Sequence, residues 1–552
     1  MSRLIVLSNR VKIPDSSPMA GGLAVALQDV LIGSSVVWMG WNSKVVDTYN
    51  DCGFDCATYQ LDGRKQVAST GTDSQRADTT ITYMTTALTT KQYQQFYCGF
   101  ANNVLWPLMH EQTDLIHQAP EDYVGYQAVN HLFARQLKKI LRPDDVIWVH
   151  DYHFLSVAYH CRQLGITNRI GLFLHIPFVS LACWQQLDKS PDLIKHLAHY
   201  DVLGTQTKHG KANCLATLQH YLQDRLLNES HLRVAPINVS CVERHFFNTP
   251  KSLPSQLMLN LDFCAQHRLT VNAYPIGVNV ARIQNQVIDL SLKSTKSFTK
   301  ESSKQAQTEN GIKSASQQII AVDRVDYSKG LPERFSAYRT FLQQYPMYQN
   351  QLKMLQVACP SRLDLPVYKR LYDNVRQVVN DINRQFSSSE YVSDAFLANK
   401  DQSADATEGW EAITYSEEVL NHQTLMRAFW HSDVGWVNSL KDGMNLVAKE
   451  YIAAQNPDDP GVLVLSCYAG AAEQMQAAVI VDPHDSHSVI QGLKTALEMP
   501  LAERKHRYQS LLKGLQQDNL HVWQQDFLDD LYDDRSDQTD SDYPDAIQLS
   551  GS

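Results

Sequence analysis

The sequence predicts an α/β protein made of two doubly wound parallel sheets that face each other across a cleft. Three observations carry this. Short β-rich apolar runs alternate with longer stretches of helical period, as expected for parallel strands joined by crossover helices. The alternation runs through both halves of the chain. A length of 552 residues suits three or four average domains, or two large ones.

In the first half, buried strands are expected at Leu4–Ser8, Val36–Met39, Val146–His150, Ile170–His175, Val202–Thr205 and Val271–Ile276. Helices are expected at Ala24–Leu31, Tyr126–Leu141, Leu155–Leu164 and Lys208–Leu222. The second half repeats the plan, with strands at Ile319–Val325, Lys353–Cys359, Val434–Val437, Val462–Ser466 and Ala478–Val481. Its helices are expected at Pro332–Gln344, Leu365–Gln385, Ser416–His431, Asn445–Ala454 and His487–Glu498. Between the halves, Ser291–Gln317 is rich in Ser, Lys, Thr and Gln, with Phe298 as its one aromatic residue. It offers too little apolar surface to offset the entropy of ordering and reads as a mobile insertion. Asn399–Gly409 reads as a smaller surface loop. Val522–Leu531 puts Trp523, Phe527, Leu528 and Leu531 on one face, the pattern of a terminal helix that docks. The expected divisions are therefore 1–285, a junction insertion 286–317, 318–519, a terminal helix 520–532 docking on the N-terminal domain, and an acidic tail 533–552.

Hydrophobic residues at 43% and charged residues at 20% are ordinary for a soluble globular chain and exclude disordered, fibrous and small disulfide-stapled classes. The formal charge is −10, of which −7 lies from Asp529 onward, so the folded body is nearly neutral. A nucleic-acid binder with a broad basic face is not expected. Ten cysteines include no C-x-x-C pair and read as thiols in a reducing compartment. The longest apolar run near the N-terminus is Leu4 to Leu7, too short for a signal peptide or a membrane span. A cytoplasmic protein with no membrane partner is expected.

Ligands of open α/β sheets bind beyond the C-terminal ends of the strands, so the residues following each strand carry the functional argument. The first strand leads into Ser8-Asn9-Arg10 and then Gly21-Gly22, which lets backbone amides approach a polar ligand or simply makes a tight turn. Neither G-x-G-x-x-G nor G-x-x-x-x-G-K-[ST] occurs, which argues against nicotinamide enzymes and P-loop nucleotidases. His150-Asp151-Tyr152-His153 and His175-Ile176-Pro177-Phe178 end two further strands. A metal reading of His150, Asp151 and His153 suffers because neighbours at a strand end point to opposite sides. Asp151 and His175 suit the hydroxyls of a polyol. Arg324 and Lys329, five apart on a Gly-containing turn, suit a diphosphate, unless Arg324 merely pairs with Asp326. Arg362 adds a cation after the next strand. Asn438–Tyr451 ends a strand, turns at Asp442-Gly443 and opens a helix whose first N–H groups favour phosphate. Glu450 could accept from a ribose diol or face solvent.

Taken in order, Ser8-Asn9-Arg10, Gly21-Gly22-Leu23, Asn103-Val104-Leu105-Trp106-Pro107, Trp148–His153, His175–Phe178, Arg324–Arg334 and Asp442–Val447 resemble the trehalose-6-phosphate synthases. These are retaining glycosyltransferases of the GT-B class, with two Rossmann-like domains. The likeness spans Ser2 to Leu531, apart from the insertions. It implies transfer of glucose from UDP-glucose to glucose 6-phosphate, giving α,α-trehalose 6-phosphate and UDP, as part of trehalose biosynthesis in stress protection. It implies an acceptor-binding N-terminal domain and a nucleotide-sugar-binding C-terminal one. Arg10, Tyr97 and Arg362 would hold the acceptor phosphate and Asp151 its hydroxyls. Trp106 and Ile176 would set anomer choice. On the donor, Gly21 and Gly22 would cover the ligand, Arg324 and Lys329 bind the pyrophosphate, Asp442 the glucose hydroxyls and His175 the 6-hydroxyl region. Leu420 would offer a backbone contact to uracil, while Leu446, Val447, Ala448, Lys449 and Glu450 would hold phosphate and ribose. Arg324, Lys329, Asp442, His175 and Asp151 are the residues expected to bear on the reaction itself. Neither a cofactor nor a metal is implied, and a homo-oligomer is compatible with the sequence. Lys441, Thr205 and Val179 stand where the family usually has Arg, Phe and Pro. Two other readings remain: a glucosylglycerol-phosphate synthase using ADP-glucose and glycerol 3-phosphate, and a silent sugar-phosphate sensor.

Overall fold

A computed structural model describes residues 3–11, 13, 36–48, 55–61, 79–227, 256–297, 317–386 and 410–533. Gly21, Gly22, the helix expected at Ala24–Leu31, the loop Asn399–Gly409 and the tail beyond residue 533 lie outside these.

Nine strands form the first sheet: β1 (Leu4–Arg10), β2 (Val36–Val46), β3 (Asp55–Leu61), β4 (Thr79–Thr89), β5 (Val146–His150), β6 (Ile170–Phe173), β7 (Val202–Thr205), β8 (Gln256–Leu261) and β9 (Cys264–Ala273). Their order is β3-β4-β2-β1-β5-β6-β7-β9-β8. Only the two outermost pairs, β3 with β4 and β8 with β9, are antiparallel. The second sheet holds β10 (Gln317–Arg324), β11 (Leu352–Cys359), β12 (Ile413–Ser416), β13 (Val434–Val437), β14 (Val462–Ser466) and β15 (Val479–Val481). It is wholly parallel, in the order β12-β11-β10-β13-β14-β15. This is the pair of doubly wound sheets expected of a GT-B chain. In each, the strand order reverses beside the first strand, at β1/β5 and at β10/β13, which is where such sheets bind ligands.

The central strands are uniformly apolar because both faces are covered: β5, β6, β7, β13 and β14 are buried throughout. Several elements differ from expectation. Strands β3, β4, β8 and β12 are not among the expected ones: β3, β8 and β12 are sheet edges, and β4 (TTITYMTTALT), though paired on both sides, reads as polar and Thr-rich. Ser416–His431 is not one helix: β12 ends at Ser416 and the helix starts at His422, capped by the Asn421 side chain, which accepts from Thr424 N. The stretch read as an insertion from residue 286 begins as the end of a helix, Val280–Ser297. Tyr93–Leu105 winds as a π-helix, a wider coil often found at functional sites, and delivers Tyr97 and Trp106 to the cleft.

The terminal helix Leu520–Tyr532 leaves the second sheet and packs on the first. Phe527 lies flat on Trp148 at 5.1 Å and edge-on to Phe173 at 5.8 Å. Arg169 Nε donates to Leu531 O at 2.7 Å, and Asn272 Nδ2 donates to Asp530 Oδ2 at 2.7 Å. No helix among the described residues is long and apolar enough to cross a membrane.

Behind the first sheet, away from the cleft, Tyr159 is ringed by His160, His196 and His199, at 5.4, 4.0 and 5.2 Å between ring centres. Burial pushes these imidazoles down to about 4, 3 and 4, against 6.5 when free. The unfolded chain therefore takes up protons first on acidification. Their contribution is complete above pH 6.5 and is lost as the pH falls towards 4, at up to about 1.4 kcal/mol per pH unit for each imidazole. The urea midpoint is expected to drop steeply between pH 6.5 and 5. A midpoint unchanged across that range would mean that these rings are not held neutral.

Candidate active site

The loops after β5 and β6, with Trp106, meet those after β10, β11 and β13 across the cleft. From the first lobe, Arg10 at the end of β1 donates to Tyr97 Oη at 2.9 Å, with its guanidinium 4.9 Å from the Tyr97 ring centre and 5.2 Å from that of Trp41. Tyr97 lies parallel to His153, whose two ring nitrogens are buried without partners among the described residues. Burial, together with the nearby Arg362 and Arg10 charges, keeps His153 neutral.

Asp151 adopts φ 74°, a strained conformation for a non-glycine residue. Arg362 and Asn445 share that feature, at φ 52° and 87°, so strain gathers around this cleft. The Asp151 carboxylate accepts from His175 N at 3.2 Å. Burial raises its carboxyl to about 6, against the pull of backbone amides and Arg362. Ile176 is buried beside it.

Arg362 reaches over from the second lobe. Its guanidinium sits 3.9 Å from the ring centre of Trp106, donates to Asp326 Oδ2 at 3.0 Å and to Tyr368 Oη at 2.6 Å, and reaches Tyr152 Oη at 3.3 Å. Asp326 is fully buried and also accepts from Ser328 N at 3.0 Å and from Trp106 Nε1 at 3.4 Å. Burial works to raise its carboxyl, but Arg362 and Arg324 hold it down at about 2. Asp326 thus belongs chiefly to Arg362 and Trp106. It was in view from the sequence only as a turn partner for Arg324, because nothing local reveals residues thirty or two hundred positions away.

Arg324 is exposed at the end of β10, 5.8 Å from the Trp106 ring centre, and its side chain makes no hydrogen bond or ion pair among the described residues. Lys329 is committed: its Nζ donates to Asp442 Oδ2 at 2.5 Å. Asp442 accepts further from Ser439 Oγ at 3.2 Å and Asn445 Nδ2 at 3.0 Å. Burial would raise the Asp442 carboxyl, but Lys329 lowers it below the usual range. Asn445 Oδ1 caps the helix Leu446–Ala453 by accepting from Ala448 N at 3.0 Å. Among the described residues no hydrogen bond is made by the amides of Leu446 and Val447. Gly443 must be glycine, since a Cβ there would lie 2.1 Å from His175 O across the cleft.

Several expected contacts differ in kind. The Lys449 side chain is buried away from the cleft, donating to Ile276 O at 2.6 Å and Gln474 Oε1 at 2.7 Å, and burial lowers its ammonium to about 7. Lys441, which stands where the family usually has Arg, pairs through its Nζ with Glu111 Oε1 at 2.7 Å, from one lobe to the other. Glu450 is raised by burial to about 7, with His422 Nε2 at 4.0 Å. Leu420 is half-buried in the loop between β12 and the helix His422–Trp430. Among the described residues no group of three or more His, Cys, Asp or Glu is placed to hold a metal ion. His150 and His153 are both buried, on separate partners.

Comparison with known proteins gives one consistent result. Residues 7–533 match glycosyltransferase family 20. The chain is 34% identical over 533 residues to a trehalose-6-phosphate synthase of Sodalis glossinidius, covering 96% of each protein. Among solved structures it resembles an α,α-trehalose-phosphate synthase (UDP-forming) from Burkholderia vietnamiensis, at 35% identity and TM-score 0.73, covering 96% of this chain and 99% of that one. It also resembles such a synthase from Burkholderia xenovorans in complex with glucose-6-phosphate, at 31% identity and TM-score 0.74, covering 96% and 100%. With a family match across nearly the whole length and relatives above 30% identity over both chains, the protein is a glycosyltransferase and belongs to glycosyltransferase family 20.

Proposed function

We propose that the chain transfers glucose from UDP-glucose to C1 of glucose 6-phosphate with retention, releasing UDP and α,α-trehalose 6-phosphate in the cytoplasm. One observation carries this reading. The indole of Trp106 lies under two guanidiniums of the opposite lobe, Arg362 at 3.9 Å and Arg324 at 5.8 Å. A phosphorylated acceptor and a pyrophosphate donor would then sit side by side above one ring. Arg10, Tyr97 and Arg362 take the acceptor phosphate, Asp151 its hydroxyls, and Trp106 with Ile176 the shape of the pocket. Arg324, Lys329 and the amides of Leu446 and Val447 take the donor pyrophosphate. Asp442 and His175 take the donor sugar, and Glu450 the ribose. Support comes from the relatives: one is named UDP-forming, and another binds glucose-6-phosphate.

As the glycosidic bond breaks, negative charge grows on the departing phosphate. Fixed cations and helix amides stabilise that charge more in the transition state than before it. Lys329 is already hydrogen-bonded to Asp442, so Arg324, exposed and hydrogen-bonded to no carboxylate among the described residues, supplies the more available positive charge. Asp442, held by Lys329, Ser439 and Asn445, is oriented as a hydroxyl acceptor rather than freed as a nucleophile. Closure of the lobes around both substrates excludes water that would hydrolyse the donor.

Incubation with UDP-glucose or ADP-glucose and either glucose 6-phosphate or glycerol 3-phosphate, in EDTA, is expected to yield trehalose 6-phosphate from the UDP-glucose and glucose 6-phosphate pair. A glycerol-linked product would overturn the acceptor assignment. Absence of product with every pair would leave only a binding role.

A further inference from the structure

His175 is not an isolated side chain. His150 ends β5 and His175 follows β6, its neighbour in the sheet, and His150 Nδ1 lies 3.1 Å from His175 Nε2. Burial lowers both imidazoles, His175 to about 3. Both rings are therefore neutral at pH 7 and carry one N–H each. One N–H must meet one lone pair between them.

His150 decides the direction. It is 1% exposed, and its Nε2 is buried with no hydrogen-bond partner among the described residues. The ring packed on it is Trp148, 4.6 Å away, whose indole N–H is likewise unpaired and offers nothing to accept a proton. A buried N–H without an acceptor is rarer than a buried acceptor without a donor. The His150 proton therefore resides on Nδ1 and is donated to His175 Nε2. His175 must then carry its own proton on Nδ1, the nitrogen left for a ligand.

The geometry points to His150 as a positioning residue that fixes His175 in the tautomer presenting an Nδ1–H to the donor sugar. The group recognised by His175 is an acceptor oxygen, and the site selects a hexose that keeps its 6-hydroxyl over a 6-deoxy sugar. The specificity half of this statement rests on the reading of His175 as a ligand of that hydroxyl; the tautomer half rests on the two rings alone. Backbone supports are in place, since His175 N donates to Asp151 Oδ1 at 3.2 Å and Phe173 walls the ring at 4.8 Å.

Long-range proton–nitrogen correlation spectra of the histidine-labelled wild-type protein at pH 7 test the tautomer directly. The expected pattern is Nδ1–H for both rings, and Nε2–H on His175 would overturn the inference. Kinetics tests the consequence. His150→Phe keeps the ring volume and removes the donor; it is expected to lower kcat/KM for UDP-glucose about tenfold, one hydrogen bond. The KM for glucose 6-phosphate should stay as it is. His150→Asn, whose amide N–H can stand where Nδ1 stood, is expected to restore most of the loss. Wild type should discriminate against UDP-6-deoxyglucose about tenfold, and His150→Phe should not. A His150→Phe enzyme that keeps the wild-type preference between the two donors would sink the positioning role. Wild type that fails to discriminate at all would instead remove the 6-hydroxyl reading of His175, while the spectra still judge the tautomer. Should His150→Phe not fold, the wild-type spectra and His150→Asn decide.

Discussion

Arg324→Ala is expected to lower kcat by about 10²–10³-fold, the usual effect of deleting one preorganised group aimed at developing charge. Arg324 closes β10 at the point where the strand order reverses, between β11 and β13. It is exposed and hydrogen-bonds to no carboxylate among the described residues, although its charge reaches Asp326, whereas Lys329 is hydrogen-bonded to Asp442 and Arg362 to Asp326. Removing Arg324 thus removes net charge from the donor site rather than breaking an internal pair. The fold should survive, because no hydrogen bond of the described structure is lost. Arg324→Lys should recover part of the loss through charge, without the two-pronged grip of a guanidinium. Steady-state kinetics at saturating acceptor, with a circular dichroism melt as control, checks this. An Arg324→Ala enzyme within about threefold of wild type would mean that the pyrophosphate is neutralised elsewhere, since even a single exposed cation is worth more than that at a reacting phosphate.

Phe527→Ala is expected to destabilise the protein by about 3–5 kcal/mol, the range for truncating a fully buried phenylalanine. The ring is 0% exposed and stands on three aromatic residues of the first lobe, Trp148, Phe173 and Tyr274. Two strands are cut to receive it. A Cβ at Gly171 would lie 2.9 Å from Phe527 Cζ, and one at Gly204 would lie 2.8 Å from its Cε2. The cavity left by alanine cannot close easily, since these strands are central in the sheet. Loss would reach function as well, because Trp523, one turn earlier, borders the His175 ring at 6.3 Å. Urea unfolding followed by tryptophan fluorescence would show an early transition of the first lobe. An unfolding free energy within about 1 kcal/mol of wild type would mean that the terminal helix lies on the sheet without holding it.

The legible parts of the fold were those where local pattern and burial agree. Strands β5, β7, β13 and β14 sit within a residue of their expected bounds, since strands covered on both faces must be apolar throughout. The edge strands β3, β8 and β12 escaped because an edge that meets solvent on one side tolerates polar residues, as in DCATYQL and ITYS; β4, paired on both sides, escaped because its sequence is rich in Thr. The helix expected at Ser416–His431 begins only at His422, because the Asn421 cap that starts it sits inside a polar stretch that carries no start signal of its own. In the candidate site, Arg10, Arg324, Lys329, Asp442 and the helix at Leu446 stand out in the sequence because each ends or follows a strand, and strand ends are where doubly wound sheets carry ligands.

What the sequence determined by itself is the chemistry on offer: cations, amides and hydroxyl acceptors at the ends of two sets of parallel strands, in an order shared with a known family. The tertiary structure alone decided how those groups are spent. Lys449 and Lys441 turned out to be committed, one to Ile276 and Gln474 and the other to Glu111 across the cleft. Asp326 became a buried anchor for Arg362 and Trp106 rather than a surface partner of Arg324. The physical reason is range. Backbone propensity and strand periodicity act over a few residues, whereas a side chain's charge and hydrogen bonds are assigned by whichever distant segment the packed lobes bring within about 3 Å.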